Sequence, residues 1–168
     1  IAMASILMGV EKENLKPCMI SILCSLTPLA YDDRMLGAIM AYAEAGQPQL
    51  ISSLAIAGAT SPATMAGTLV VQNAEILAGI VLTQLVREGT PVIFAGSSSG
   101  AEMRTGGLSI GSPEMAMNCS ATAQMARFYK LPSRGGGAVS DSKAPDCQAA
   151  YESMMNLLMA QVAGINFV

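Results

Sequence analysis

Strand-like and helix-like segments alternate along this chain, and that alternation decides most of what it can fold into. Ile1 to Gly9 is apolar and helix-compatible. Cys18 to Leu23 is then a short apolar run, and Ser25-Leu26-Thr27-Pro28 is its exit loop. Asp32 and Asp33 open a helix, where their charge suits the positive end of the dipole. Leu36, Ile39, Met40 and Ala43 give it an apolar stripe, and Gly46 ends it. Gln49 to Leu54 is the next strand, Ala55 to Thr60 its loop, and Ser61-Pro62 the expected cap of a helix that runs to about Arg87, broken near Gly67. Pro91 to Ala95 begins the third unit. A long loop, Gly96 to Gly111, leads to Ser112-Pro113 and a helix whose Met117, Ala121, Met125 and Phe128 share a face. The fourth unit is extended near Leu131 to Arg134, loops from Gly135 to Pro145, and ends in a helix started at Pro145-Asp146 and striped by Met154, Leu157, Leu158 and Val162. Ile165 to Val168 starts a fifth strand.

Repeated β-then-α units imply parallel strands joined by right-handed crossovers. Neither G-x-G-x-x-G nor a P-loop is present, so the nucleotide signature of an open doubly wound sheet is missing. The loops after the strands are long, polar and rich in Gly and Ser, as in barrels that carry function there. The expected fold is therefore α/β, a segment of a (β/α)8 TIM-type barrel with about four β/α units.

Composition agrees with a segment. Of 168 residues, 52% are hydrophobic and 12% charged, with a mean hydropathy of +0.46, which is unusually apolar for a small independent domain. A membrane protein is the other way to reach such values, but Thr68 to Val86 carries Gln72, Asn73 and Glu75 where lipid would demand apolar groups. No signal peptide is recognisable. The chain starts at Ile1 and ends on Gly164-Ile-Asn-Phe-Val168 as if a strand were cut, so residues 1–168 are expected to form a single partial barrel domain of a longer chain. Half a barrel exposes strand edges and an apolar face, which predicts association, as a homo-oligomer or with its neighbours. Nine scattered Lys and Arg residues with a net charge of -3 argue against nucleic acid. Cys18, Cys24, Cys119 and Cys147 form no C-x-x-C pair and there is no histidine, so no bound metal is expected, and free thiols in a cytoplasmic protein are.

Several motifs carry candidate chemistry. Gly96-Ser-Ser-Ser-Gly100 matches the G-x-S-x-G of a nucleophile elbow, and Ser140-Asp-Ser-Lys143 matches S-x-x-K, so a serine hydrolase using Ser98 or Ser140 is one alternative. The elbow lacks its following helix and a histidine base. A catalytically inert barrel fragment is a second alternative. Glu114, in the first turn after Ser112-Pro113, serves the helix dipole or aims a carboxylate into the barrel mouth to attract a cation. Glu75 lies in an apolar stretch and is costly to bury unpaired. Arg104 suits a substrate carboxylate, because a guanidinium binds both oxygens at once. Phe94, at a strand end, is the best aromatic candidate for a cation cage, while Tyr129 and Tyr151 are assigned to the core. Ser133-Arg-Gly-Gly-Gly137 followed by Ser140-Asp141-Ser142-Lys143 is the densest polar cluster. Its consecutive glycines allow close approach to a ligand or partner. Most of the 13 methionines sit at helical stripe positions and are assigned to packing.

The same loops resemble the trimethylamine methyltransferase superfamily. Gly58-Ala-Thr-Ser-Pro-Ala-Thr-Met-Ala-Gly67, Gln72-Asn-Ala-Glu-Ile-Leu-Ala-Gly79, Gly111-Ser-Pro-Glu-Met115, and Leu131-Pro-Ser-Arg-Gly-Gly-Gly137 with Ser140-Asp-Ser-Lys-Ala-Pro-Asp146 occur in order. The resemblance implies a (β/α) barrel that presents a methyl group of a small methylated amine to the cob(I)amide of a corrinoid (cobalamin) carried by a corrinoid-binding protein. Family members that use trimethylamine carry pyrrolysine just before the Ser-Asp-x-Lys motif, and here Gly137-Ala138-Val139 are ordinary residues. The resemblance therefore points to the branch that uses quaternary amines such as glycine betaine. On it, Glu114, Asp141 and Lys143 are expected as catalytic residues, Arg104, Glu75 and Phe94 as substrate-binding residues, and Gly135, Gly136 and Gly137 as a loop facing the corrinoid.

Overall fold

A computed structural model describes residues 1–168. A short helix, α1 (Ala2–Met8), precedes a 3-10 turn and the first strand, β1 (Ser21–Cys24). Then follow α2 (Asp33–Glu44), β2 (Gln49–Ser53), the two-residue β3 (Ile56–Ala57), α3 (Met65–Val86), β4 (Val92–Gly96), the two-residue β5 (Ser99–Gly100), α4 (Pro113–Phe128), β6 (Ser133–Arg134) and α5 (Cys147–Ala163). The main sheet is parallel with order β1-β2-β4-β6, so consecutive β/α units lie side by side without a reversal. A parallel bridge from Arg134 to Phe167 starts a further strand at its edge. The loops after β2 and β4 are not free, because β3 and β5 pair in parallel, Ile56 with Ser99 and Ala57 with Gly100.

Register places each row of side chains on one face. Leu23, Ile51, Phe94 and Ser133 form one row, and the apolar members pack against Ile39 of α2, Ile76 and Ile80 of α3 and Ala126 of α4. One layer down, Gln49 reaches both helices: its Nε2 donates to the Ile39 carbonyl at 3.0 Å, and Thr83 donates to its Oε1 at 3.3 Å. The alternate row, Cys24, Ser52, Ala95 and Arg134, faces away from the helices. On that helix-free face Ile22 is 60% exposed.

Three helix starts follow the residues expected: Asp32, Ser112 and Asp146 each cap with a side-chain oxygen. The start of α3 does not. Ser61-Pro62 belongs to the preceding turn, where the Ser61 carbonyl accepts from Gly58 N–H and the Pro62 carbonyl from Thr68 Oγ1, and Thr64 supplies the cap. The helix passes Gly67 unbroken. A Cβ there would stand 2.7 Å from Pro62 Cβ, so the glycine serves the tight fold-back and not a break.

The stripes assigned to α4 and α5 need correction. On α4 the buried face is Met115, Ala116, Asn118, Cys119, Thr122, Ala123 and Ala126, whereas Met117 is 56% and Phe128 82% exposed. Small residues face inward because the helix runs close over β4 and β6. A Cβ on Gly96 would collide with Thr122 Oγ1 and stand 2.6 Å from Gln72 Nε2. Close approach of backbones excludes large side chains, so the bulky apolar residues are displaced outward. On α5, Asn156 and Ala160 are buried while Met154, Leu157, Leu158 and Val162 are exposed. Helix α3 is long and apolar enough to cross a membrane by length and composition. Its polar residues Thr68, Gln72, Glu75 and Thr83 are nonetheless buried beside Ile76, Gly79 and Ile80, and they bond to the sheet and to neighbouring segments.

Candidate functional site

At the C-terminal end of the strands, the β3–β5 pair and the first turn of α4 enclose a groove of about 390 Å³. Gly58, Met65, Gly100, Glu102, Met103, Ser109, Ser112 and Glu114 line much of it. Glu114 reaches it because Ser112-Pro113 starts α4 at the rim, leaving the carboxylate exposed and without a hydrogen-bond partner on this chain. Two carboxylates, two thioethers and no cationic side chain give a surface suited to a positively charged, methylated group.

The wall of this groove is held by a carboxylate clamp. Asp141 accepts from Ser109 Oγ at 3.0 Å, Gly111 N–H at 2.8 Å and Ile110 N–H at 3.2 Å. Glu152 of α5 in turn accepts from Asp141 N–H at 2.8 Å and Ser140 Oγ at 2.7 Å. Ser109 passes the constraint on, since its carbonyl accepts from Ser99 Oγ at 2.6 Å and Ser112 Oγ at 3.1 Å. Gly111 is required where it stands: a Cβ would collide with Glu152 and lie 2.9 Å from the Asp141 nitrogen.

Burial works to raise the pKa of Asp141, but the bonds from Gly111, Ser109 and Ile110 and the nearby Lys143 charge outweigh it and hold the carboxyl below its ordinary range. Glu152 is held low by Ser140, Asp141 N–H and Gln148, and Asp146 by its cap bonds to Ala149 and Ser142. For groups depressed in the folded state, the stabilisation is complete above the unfolded pKa and is lost as pH falls through the folded value. Acidification through the depressed folded values, below the ordinary Asp range, should therefore open residues 109–111 and 140–142 before the sheet. Amide exchange corrected for intrinsic rates checks this; protection lost simultaneously in β2 and β4 would show that the clamp has no separate acid response.

The other expected site residues are placed as follows. Asp141 is thus a wall-holding group, and exposed Lys143 lies near it without a hydrogen bond. Arg104 is exposed on a turn closed by its own N–H to Glu102 Oε1, and its guanidinium makes no hydrogen bond or ion pair on this chain. Glu75 is 2% exposed and fully engaged: Ser25 and Ser53 hydroxyls, Thr27 Oγ1 at 2.9 Å and Leu29 N–H at 2.7 Å all donate to its carboxylate. Tyr31 donates to the Glu75 carbonyl at 2.8 Å, and its pKa is raised, chiefly by burial and then by the Glu75 charge. Phe94 is wholly buried on the helix side, its ring centroid 5.8 Å from that of Tyr129, so it offers no face to the strand ends. Gly135, Gly136 and Gly137 approach closely, but to the chain itself: added Cβ atoms would lie 2.5 Å from Cys119 Sγ, 2.8 Å from Met115 Cε and 2.6 Å from Val168. Ser98 is buried with its hydroxyl accepting Ala55 N–H at 2.9 Å, and Ser140 is bound to Glu152, so neither is presented as a nucleophile.

Comparison with known proteins decides the family. The model for trimethylamine methyltransferase (MTTB) matches residues 1–168. The chain belongs to this family. The glycine betaine methyltransferase of Desulfitobacterium hafniense (strain Y51) is 58% identical over 171 residues, covering 100% of this chain and 35% of that protein. The proline betaine:corrinoid methyltransferase of Eubacterium limosum is 40% identical, covering 91% of this chain and 32% of the relative. The trimethylamine methyltransferase MttB of Methanosarcina barkeri is 39% identical, covering 94% and 32%. The chain thus spans about a third of the length of these relatives.

Glu152 went unmarked in the sequence, while Gly111 and Arg134 were singled out only within motifs and given no role of their own. Nothing in the helical pattern around Glu152 signals that it crosses to Ser140 and Asp141. Arg134 was legible in principle, since strand alternation puts it opposite buried Ser133.

Proposed function

We propose that this segment is part of an enzyme that takes a methyl group from a quaternary amine and delivers it to the cob(I)amide of a corrinoid protein. The match across residues 1–168, with the 58% identical betaine relative, carries the proposal. We further infer that the segment is half of a (β/α)8 barrel, because unreversed parallel order and a helix-free face are what a closing sheet requires. Four free thiols fit a cytoplasmic setting.

The chemistry asks little of the protein beyond placement. A methyl on a quaternary nitrogen transfers as the N–C bond breaks, its electrons staying on nitrogen as a neutral tertiary amine leaves. The corrinoid supplies the nucleophile. Gly135 to Gly137 are packed against Cys119, Met115 and Val168 and form no cradle for it; a partner protein would bring it. What this chain contributes is the groove: Glu114 and Glu102 attract the ammonium, Met65 and Met103 contact its methyl groups, and the Asp141 clamp keeps the wall in place.

The test uses the full-length protein with cob(I)alamin and trimethylamine, glycine betaine, carnitine and choline. Methylcobalamin, followed by absorbance, is expected from a betaine. Folded protein that methylates with none of the four sinks the proposal.

A further inference from the structure

Arg134 is the one charged residue on any strand of this protein. Its register row is Cys24, Ser52 and Ala95, so it stands on the helix-free face, at the C-terminal end of the sheet. In parallel α/β sheets ligands bind at that end. The side chain is partly buried, and Nη1 donates to Ser97 Oγ at 2.8 Å. No carboxylate lies within ion-pair distance of it, the chain's sole ion pair being Arg34 with Asp32 on the surface. A guanidinium has five N–H donors, so most of the fork has no partner here. A partly desolvated cation without a counter-charge is costly unless an anion meets it. The other arginines are accounted for elsewhere: Arg87 and Arg127 bond carbonyls at helix ends, and Arg104 lies on an exposed turn.

We propose that Arg134 receives the carboxylate of a zwitterionic quaternary amine, with Ser97 orienting the fork. Resting on the methyltransferase proposal, this makes Arg134 the residue that separates betaines from amines lacking an acid group. The chemistry first sought at Arg104 is met at Arg134.

Binding to the full-length protein, measured by titration calorimetry, tests it without the corrinoid. Glycine betaine and choline share a quaternary nitrogen, and only the first has a carboxylate. Arg134→Met should weaken glycine betaine by about 10- to 100-fold, the range of a charge-assisted pair, and leave choline unchanged. Arg134→Lys, which keeps charge but loses the fork, should fall between; it also serves if the methionine variant does not fold. Equal glycine betaine affinity in wild type and both variants overturns the assignment, as does a parallel loss of choline or no binding of glycine betaine by the wild type. If no amine yields methylcobalamin while glycine betaine binding still depends on Arg134, the methyl-transfer proposal falls and the carboxylate site stands.

Discussion

Replacing Glu75 with leucine should destabilise the full-length protein by about 4 kcal/mol, the scale seen when one partner of a buried charged network is removed. The carboxylate gathers Ser25, Thr27 and Leu29 from the loop after β1 and Ser53 from the end of β2 onto α3. Without it, a backbone N–H and several hydroxyls lose their acceptor in a place where water replaces it poorly, as Glu75 itself is 2% exposed. Glu75→Gln should cost roughly half as much, about 2 kcal/mol, because one oxygen still accepts while the amide N–H2 faces donors. Urea unfolding distinguishes these values, with the midpoint falling and the slope unchanged. A leucine variant as stable as wild type but unable to bind amine would return Glu75 to the substrate-binding role first expected of it.

The architecture was legible because β/α units are written locally. Gln49 to Leu54 and Pro91 to Ala95 fall within a residue of β2 and β4, and Asp32, Ser112 and Asp146 announce their helices by capping chemistry. Facing was less legible. Hydrophobic periodicity locates a helix but assumes that its bulky residues are inside, and α4 breaks that assumption by lying so close to Gly96 and Gly135 that only small residues fit. The site was legible in part. Glu114 lies on the groove, but Asp141 and Glu152 acquire their roles from partners up to 32 residues away, which spacing along the chain does not encode. Glu75 was noticed for the right reason, the cost of burying a charge, and the structure meets that cost with hydrogen bonds from its own chain.

Phe94→Ala should cost about 3–5 kcal/mol, the range for removing a buried aromatic side chain. The ring is fully buried between Ile51 and Ser133 in the row that meets the helices, it touches Tyr129, and Tyr129 in turn packs edge-on to Phe128. Tyr129 also accepts from Asn73 Nδ2 at 3.0 Å, so a void at Phe94 loosens the joint between α3 and α4 as well as the sheet. Phe94→Leu keeps most of the volume and should lose about 1–1.5 kcal/mol. The pair of variants separates packing from recognition. A core residue predicts stability loss graded with volume and an amine affinity that stays constant wherever the variant is folded. A cation-cage residue predicts the reverse: the leucine variant, nearly as stable as wild type, would bind the quaternary amine tenfold or more weakly, since an aliphatic chain has no π-face to offer. The buried position on the helix side requires the first outcome, and under the proposed function recognition of the ammonium falls to the carboxylates and thioethers of the groove.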